Sequence, residues 1–262
     1  MLTRHAQQVV VLVSGGLDSA VTLAAACAEF GAARVGAITF DYGQRHRVEL
    51  GAAARVASAA GIDPSRHVTL RMDLRSIGGS ALTADIDVPK DRPGVLGAGG
   101  HEVPITYVPA RNLIFLSCAA ALAETIGADR IDIGANAVDY SGYPDCREPF
   151  LRAFEAAANA GTKAGAEDGR TLRVHAPLLH LSKVEIIRLG ARLGVDFVLT
   201  TSCYDPRVEG GRAQACGHCD SCVIRARAFA AAGVADPTEY QPGVRPWIDA
   251  GAGGFAGGSR GA

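Results

Sequence analysis

The segment at residues 14–19, SGGLDS, carries the residue types best suited to binding phosphate. It joins an apolar run to a segment of helical pattern, and ligands of open parallel sheets bind at such a turn. Gly15 and Gly16 allow a sharp turn and a close approach to a ligand. The following helix start offers N–H groups and a partial positive charge. Asp18 would repel phosphates unless it binds Mg²⁺ or caps backbone N–H groups. The segment predicts a Mg²⁺-bridged pyrophosphate site, and a capped glycine turn is the simpler alternative.

Two better-known phosphate motifs are absent from this segment. It lacks the second glycine followed by Lys and Ser or Thr of the Walker A loop, and it lacks the G-x-G-x-x-G dinucleotide fingerprint. The predicted ATP-binding residues are the segment, its flanks and the end of the second strand: Val13, Ser14, Gly15, Gly16, Leu17, Asp18, Ser19, Ala20, Val21, Thr22, Leu23 and Asp41.

Four cysteines near the C-terminus have the spacing of a metal site. Cys203, Cys216, Cys219 and Cys222 follow the pattern C-x12-C-x2-C-x2-C. Four thiolates favour tetrahedral zinc and leave no open catalytic position, so we predict one structural Zn²⁺ per chain. An iron–sulfur cluster, unliganded thiols, and replacement of one cysteine by His218 are the alternatives.

Composition limits the class of protein. The chain has 262 residues, 48% of them hydrophobic, and a formal charge of −1. Such a balanced charge argues against tight, sequence-independent nucleic-acid binding. The N-terminus lacks the pattern of a secretory signal, and no apolar run reaches the ~20 residues of a membrane span. We therefore expect a soluble, cytoplasmic protein with reduced thiols.

Strands and helices alternate along most of the chain, which predicts an open, mostly parallel, doubly wound α/β sheet. Predicted strands cover 8–13, 35–40, 67–70, 130–133 and 172–175, and predicted helices cover 19–30, 47–60, 112–126, 148–160, 183–193 and a segment after Cys222 that ends near Ala232. Residues 76–104 are predicted to be irregular. We divide the chain into an ATP-binding domain (1–200), a zinc-binding segment with a C-terminal helix (201–235) and a flexible tail (236–262).

Further segments make the pattern specific. SGGLDS resembles the pyrophosphate-binding loop (PP-loop) of the N-type ATP pyrophosphatases, which form adenylates and release pyrophosphate. Together with CGHCDSC, the segments FDYGQRHRVE (40–49), YVPARN (107–112) and DYSGYPDCR (139–147) closely resemble the 7-cyano-7-deazaguanine synthases of queuosine biosynthesis. The resemblance runs from about residue 9 to about residue 229, and it implies an adenine nucleotide alpha-hydrolase-like fold.

This resemblance implies a reaction and its partners. The enzyme would be an ATP-dependent carbon–nitrogen ligase that converts 7-carboxy-7-deazaguanine and ammonia into the nitrile, through an adenylated carboxylate and an adenylated amide. It implies small-molecule substrates, Mg²⁺ with ATP, a homodimer, and neither a nucleic-acid nor a membrane partner.

Candidate substrate-contacting residues lie in the family-like segments and at one helix start. Arg111 and Asn112 can reach phosphate or the incoming carboxylate, tyrosines of the third segment can stack on the deazaguanine ring, and Lys183 can lie near phosphate. The alternatives are capped helix starts, an ordinary polar turn and a surface lysine. The full predicted set is Gln44, Arg45, His46, Arg111, Asn112, Asp139, Tyr140, Ser141, Tyr143, Asp145 and Lys183.

Two departures from the family pattern and three rival functions remain. Ala110 stands where the family usually has Gly, and the stretch between Cys203 and Cys216 is longer than expected. One rival is another adenylating PP-loop enzyme, such as a tRNA thiolase. Another is an enzyme that makes or modifies a related deazapurine for DNA or a secondary metabolite. The third is a non-catalytic module whose zinc knuckle binds RNA or a protein.

Overall fold

A computed structural model describes residues 8–44, 48–91, 103–136, 142–209 and 212–246. Five strands form its main sheet: β1 (Val9–Leu12), β2 (Val35–Asp41), β3 (His67–Arg71), β4 (Arg130–Asp132) and β5 (Arg173–His175). They are parallel and lie in the order β3-β2-β1-β4-β5. Buried, β-branched runs form the central strands, as is usual in a sheet covered on both faces. The predicted parallel α/β sheet is confirmed.

Seven α-helices connect and flank these strands within the described residues. They are α1 (Leu17–Phe30), α2 (Val48–Ala59), α3 (Arg111–Ile126), α4 (Glu148–Gly161), the short α5 (Lys163–Ala166), α6 (Lys183–Arg192) and α7 (Asp220–Ala232). Helix α6 begins with the reciprocal capping box of Ser182 and Glu185, which satisfies two of its free N–H groups.

Side chains of β1 alternate between two buried faces. Val10 and Leu12 point to the layer of α3 and α4, whereas Val9 and Val11 point to the layer of α1 and α2. Two-sided burial explains why β1 has no polar residue. The sheet is therefore doubly wound, as predicted.

The sheet has a topological switch point beside β1. From β1 the chain builds β2 and β3 on one side, and it later builds β4 and β5 on the other. Ligands of open α/β sheets bind in the crevice at the carboxyl ends of the strands at such a point. The turn at 14–19 and residues Gly134–Asn136 after β4 lie at this edge.

The cysteine segment contains a hairpin that the sequence did not indicate. Strands β6 (Arg207–Glu209) and β7 (Arg212–Gln214) pair antiparallel, and their tip at 210–211 lies outside the described residues. The unexpectedly long stretch between Cys203 and Cys216 thus forms a hairpin. Its β6 residues are exposed, so the insertion leaves the cysteine cluster intact.

The chain between β3 and α3, which includes the predicted irregular segment 76–104, packs on the cysteine segment. We call it the irregular excursion, and its described residues 77–91 and 103–110 contain no α-helix and no sheet strand. Ala81 and Val88 pack against the cysteines, and Lys90 forms an isolated bridge with Cys219. The excursion and the cysteine segment therefore support each other.

The beginning of the predicted tail is anchored. The Ala215 N–H donates to Glu239 O at 2.8 Å, and Asp236 accepts from buried Arg225 at 3.0 Å. The low-complexity part, 251–262, lies outside the described residues. Across the described helices, none combines the length and apolarity needed to cross a membrane.

Candidate active site

The turn after β1 has the geometry expected of an anion cradle. Gly15 has φ +83°, and a Cβ there would lie 2.5 Å from Glu49 O, so only glycine fits. The Ser14 N–H donates to Ser19 Oγ at 3.2 Å, and that hydroxyl donates to Gly16 O at 2.9 Å. Gly16 caps α1 without a side-chain hydrogen bond, so the helix start keeps N–H groups for a ligand.

Asp18 and Lys183 form an ion pair at this turn. The Lys183 ammonium donates to the two carboxylate oxygens of Asp18 at 2.7 and 2.8 Å. Lys183 is the first residue of α6, and only 19% of its side chain is exposed. The alternative that Lys183 is an ordinary surface lysine is therefore wrong. A cation and a carboxylate thus stand together at the glycine turn.

These groups line a cavity of about 330 Å³ at the switch point. The predicted ATP-binding residues among its walls are Val13, Ser14, Gly16, Leu17, Asp18 and Ser19. Gly15 shapes the turn without lining the cavity. Ala20, Val21 and Leu23 belong to the core, and the Thr22 hydroxyl donates to Asp18 O.

Asp41 is placed elsewhere. It ends β2 and lines a smaller neighbouring cavity with Arg71 and Arg75. Gln44 lines both cavities and closes the turn after β2: its Oε1 accepts from Tyr42 N at 2.9 Å, and its Nε2 donates to Phe40 O at 3.2 Å. Gln44 thus has a structural task besides any contact with substrate.

Asp145 acts on α3 rather than on the cavity. Its Oδ2 accepts from Asn112 N at 3.0 Å, and the Asn112 side-chain amide donates to Asp145 O at 3.2 Å. Asp145 is buried and is not among the cavity-lining residues, whereas Asn112 is. Asp145 therefore caps the start of α3, and its contact with substrate stays a prediction.

Arg111 lines the cavity at the start of α3, beside Tyr42, Tyr143 and Cys146. Burial acts to lower the pKa of Arg111, but Tyr42, Tyr143 and Cys146 outweigh it, so its pKa is raised and the guanidinium stays charged. Ala110, just before it, has a left-handed φ of +54°, the conformation for which Gly is favoured. Ala110 thus adopts a conformation that suits glycine directly before Arg111.

Aromatic rings form much of the remaining wall. Phe40 and Phe115 stack at 3.9 Å between ring centroids, and Tyr42 lies 5.4 Å from Phe115. The Tyr143 hydroxyl lies 2.9 Å from Thr106 Oγ1. Flat apolar rings with polar edges suit a purine-like ligand. The remaining predicted substrate residues lie outside the described residues: Arg45, His46, Asp139, Tyr140 and Ser141.

The four predicted metal ligands come together. The Sγ atoms of Cys203, Cys216, Cys219 and Cys222 all lie within 4.8 Å of one another and are buried. Tetrahedral zinc with Zn–S bonds of about 2.3 Å needs sulfurs about 3.8 Å apart, so the donor set fits zinc. Backbone N–H groups donate to the sulfurs, for example Cys216 N to Cys203 Sγ at 3.2 Å.

His218 faces away from this cluster. Its Nδ1 lies 2.8 Å from Asp91 Oδ1 of the irregular excursion, and its carbonyl accepts from Asp91 N at 2.9 Å. The alternative in which His218 replaces a cysteine ligand is therefore wrong.

The cysteine segment also forms one side of the cavity. Tyr204, next to Cys203, and Asp220, next to Cys219, both line it. The Thr201 N–H donates to Gly15 O at 3.0 Å, which joins this segment to the glycine turn at 14–19. Buried Arg225 donates to Thr200 Oγ1 at 2.9 Å and reinforces the same connection.

Sequence reasoning missed several cavity residues, namely Tyr42, Glu49, Asn136, Tyr204, Asp220 and Arg225. Tyr42 and Glu49 lie in the family-like segment at 40–49, and Tyr204 and Asp220 directly follow cysteine ligands. Those positions were the available signal, but nothing in the sequence indicated that the two segments share one cavity.

Comparison with known proteins identifies the family. Residues 8–233 match the family described as Queuosine biosynthesis protein QueC. The chain belongs to the QueC family. It is 55% identical to the 7-cyano-7-deazaguanine synthase of Solidesulfovibrio magneticus, over 93% of this chain and 100% of that protein. It is 58% identical to the synthase of Xanthomonas campestris pv. campestris, over 89% of this chain and 98% of that protein. The prediction that the chain is an enzyme of this family is confirmed.

Two solved structures are also similar to this chain. One is an NH3-dependent NAD synthetase from Campylobacter jejuni, with TM-score 0.40 and 18% identity over 74% of this chain and 66% of that one. The other is an NMN synthetase from Francisella tularensis, with TM-score 0.41 and 19% identity over 79% of this chain and 68% of that one.

Proposed function

We propose that the chain converts 7-carboxy-7-deazaguanine and ammonia into 7-cyano-7-deazaguanine with two molecules of ATP. The carboxylate is adenylated, ammonia displaces AMP to give the amide, and the amide oxygen is adenylated before loss of AMP gives the nitrile. Each adenylation releases pyrophosphate. The observation that carries the proposal is the Asp18–Lys183 pair at the glycine turn, in one cavity with Arg111.

The phosphates of ATP would lie at the start of α1. The N–H groups of that helix and the Lys183 ammonium supply positive charge, and the hydroxyl of Ser14 lies at the same turn. Asp18 is the residue that would hold Mg²⁺, which neutralises the developing charge on pyrophosphate when bound. Binding the β- and γ-phosphates here would leave the α-phosphorus facing the substrate carboxylate.

The rest of the cavity suits the other substrate. Arg111 keeps its charge and can pair with a carboxylate in a bidentate geometry. Tyr42, Tyr143 and Tyr204 offer faces for the deazaguanine ring, and Asp220 offers a carboxylate for its N–H groups. The cysteine cluster would hold structural Zn²⁺ and thereby fix this wall. We further propose that the protein acts in the cytoplasm as a homodimer.

The thiol in the cavity argues against the tRNA thiolase alternative. Sulfur transfer needs a reactive thiolate. Burial, with Asp145 nearby, raises the pKa of Cys146 to about 11, so its thiol stays protonated at neutral pH. The chain also has no basic excess for tRNA.

The direct test supplies ATP, Mg²⁺, ammonium and 7-carboxy-7-deazaguanine and follows the products by mass spectrometry. We expect the nitrile, with two AMP and two pyrophosphate for each nitrile formed. Omitting ammonium should stop the reaction at the adenylated carboxylate. ATP consumption without any amide or nitrile would contradict the proposal.

A further inference from the structure

Glu49 is a carboxylate of the cavity to which the proposed function has assigned no task. It is the second residue of α2 and lines the cavity. Helix α2 packs so closely on the phosphate-binding turn that a Cβ at Gly15 would lie 2.5 Å from Glu49 O and 2.6 Å from Ala53 N. The backbone that carries Glu49 is therefore fixed beside the turn.

Two other carboxylates near the reacting groups are engaged. Asp18 is held by Lys183 at 2.7 and 2.8 Å, and Asp145 accepts from the N–H of Asn112 at 3.0 Å. Asp220 lies on the opposite side of the cavity, on α7 in the cysteine segment. Glu49 is thus the carboxylate whose helix packs directly on the turn.

The surroundings of Glu49 suit proton transfer. Desolvation raises its pKa to about 7, against the opposing effect of Arg111. The groups that act on it are Arg111 of α3 and Tyr42 after β2, while Asp18 and Lys183 line the cavity from α1 and α6. Residues 45–47 lie outside the described residues. A base works best when its pKa is near the working pH.

We propose that Glu49 is the proton acceptor for the nitrogen that enters the substrate. This inference rests on the proposed function. The nitrogen lone pair of ammonia attacks the acyl carbon of the adenylate and forms the C–N bond. The C–O bond to AMP breaks, and its electron pair leaves on AMP. The nitrogen, positively charged after attack, gives one proton to the Glu49 carboxylate, which releases it to water.

The second half of the reaction has the same requirement. Turning the amide into the nitrile removes both remaining protons from nitrogen as the adenylated oxygen leaves with AMP. A carboxylate that repeatedly accepts and releases protons at neutral pH can serve each of these steps.

The test separates adenylation from nitrogen transfer. Glu49→Gln keeps the shape of the side chain but cannot accept the proton. Carboxylate-dependent ATP–pyrophosphate exchange measures adenylation, and single-turnover mass spectrometry measures amide formation. We expect Glu49→Gln to retain exchange and to form amide about 10²–10⁴-fold more slowly than wild type. The matched control is Glu167→Gln, at an exposed glutamate, which should match wild type in both assays.

Hydroxylamine distinguishes proton transfer from a structural role, because it would not restore the activity of a variant with a structural defect. It is largely unprotonated at neutral pH, and after attack its nitrogen loses a proton to water more readily than that of ammonia. Hydroxamate formation by Glu49→Gln should therefore approach the wild-type rate.

Three outcomes would contradict either the role of Glu49 or the proposed function. Amide formation at the wild-type rate by Glu49→Gln overturns the inference. Loss of exchange together with amide formation also overturns it, because Glu49 would then act in nucleotide binding. Absence of carboxylate-dependent exchange in the wild-type protein contradicts the proposed function itself, which distinguishes the two failures.

Discussion

Two sides of the cavity are built by different physical means. On the β1 side, the backbone conformation forms the wall. Gly15 has a left-handed φ, Gly16 precedes α1 as its N-cap, and the N–H groups of the helix face the cavity edge. On the cysteine side, four buried sulfurs lie together in a segment with little regular structure, and the neighbouring residues Tyr204 and Asp220 line the cavity.

The two sides differ in whether residues close together in the sequence or far apart in it determine their structure. The glycine turn is formed by the few residues between a buried strand and a helix, so this side of the cavity depends on the fold of the sheet. The cysteine side depends on the four buried sulfurs, and its Thr201 N–H donates to Gly15 O of the turn at 3.0 Å. Variants on the two sides should therefore fail in different ways.

The largest effect is expected on the cysteine side. Cys219→Ser should lower the zinc content and reduce the free energy of unfolding by on the order of 5 kcal/mol, part of the ~10–16 kcal/mol that zinc contributes in zinc-finger peptides. Zinc is measured by elemental analysis and stability by urea unfolding. Cys27→Ser in α1, outside the cluster, is the control and should keep its zinc. Unchanged zinc content in Cys219→Ser would show that Cys219 is not a zinc ligand.

On the side of the glycine turn, a variant should lose activity rather than stability. Asp18→Asn should reduce AMP formation by about 10²–10³-fold, the size of losing one electrostatic contact in a transition state. Its thermal unfolding should stay close to that of wild type. Exposed Asp168→Asn is the control and should leave the rate unchanged. If Asp18→Asn forms AMP normally, Asp18 does not hold the metal.

The sequence predicted the β1 side in more detail than the cysteine side. The strand, the turn and the helix after it are contiguous, so their relation follows from local pattern, and the prediction for α1 missed only Leu17 and Asp18 at its start. The cysteine ligands were predicted from spacing. The position of Asp220 and Tyr204 on the cavity depends on long-range packing, which no local pattern encodes. The hairpin of β6 and β7 was missed because its short, exposed strands carry little hydrophobic alternation.

The Glu49 carboxylate should affect the free energy of unfolding as well as the rate of amide formation. Its pKa is about 7 in the folded protein and near 4.5 when unfolded, so the folded protein loses stability as pH rises between these values. Glu49→Gln removes that loss. It should be more stable than wild type by on the order of 2 kcal/mol at about pH 8, and nearly equal to it at about pH 4. Urea unfolding at both pH values checks this, and an equal difference at both would contradict it.

The smallest effect concerns the turn before Arg111. Ala110→Gly should raise the free energy of unfolding by about 0.5–1 kcal/mol, because the left-handed φ of +54° strains alanine and not glycine. Exposed Ala121→Gly within α3 is the matched control, and it should lower stability by about 1 kcal/mol. Destabilisation by both changes would mean that the Ala110 turn is not strained.

We propose that the glycine turn holds the β- and γ-phosphates of ATP so that the α-phosphorus is attacked. The most direct measurement uses 7-carboxy-7-deazaguanine with ¹⁸O in its carboxylate and follows the label by mass spectrometry. We expect both carboxylate oxygens to end in AMP, one for each ATP consumed. Label in orthophosphate, together with ADP, would contradict it.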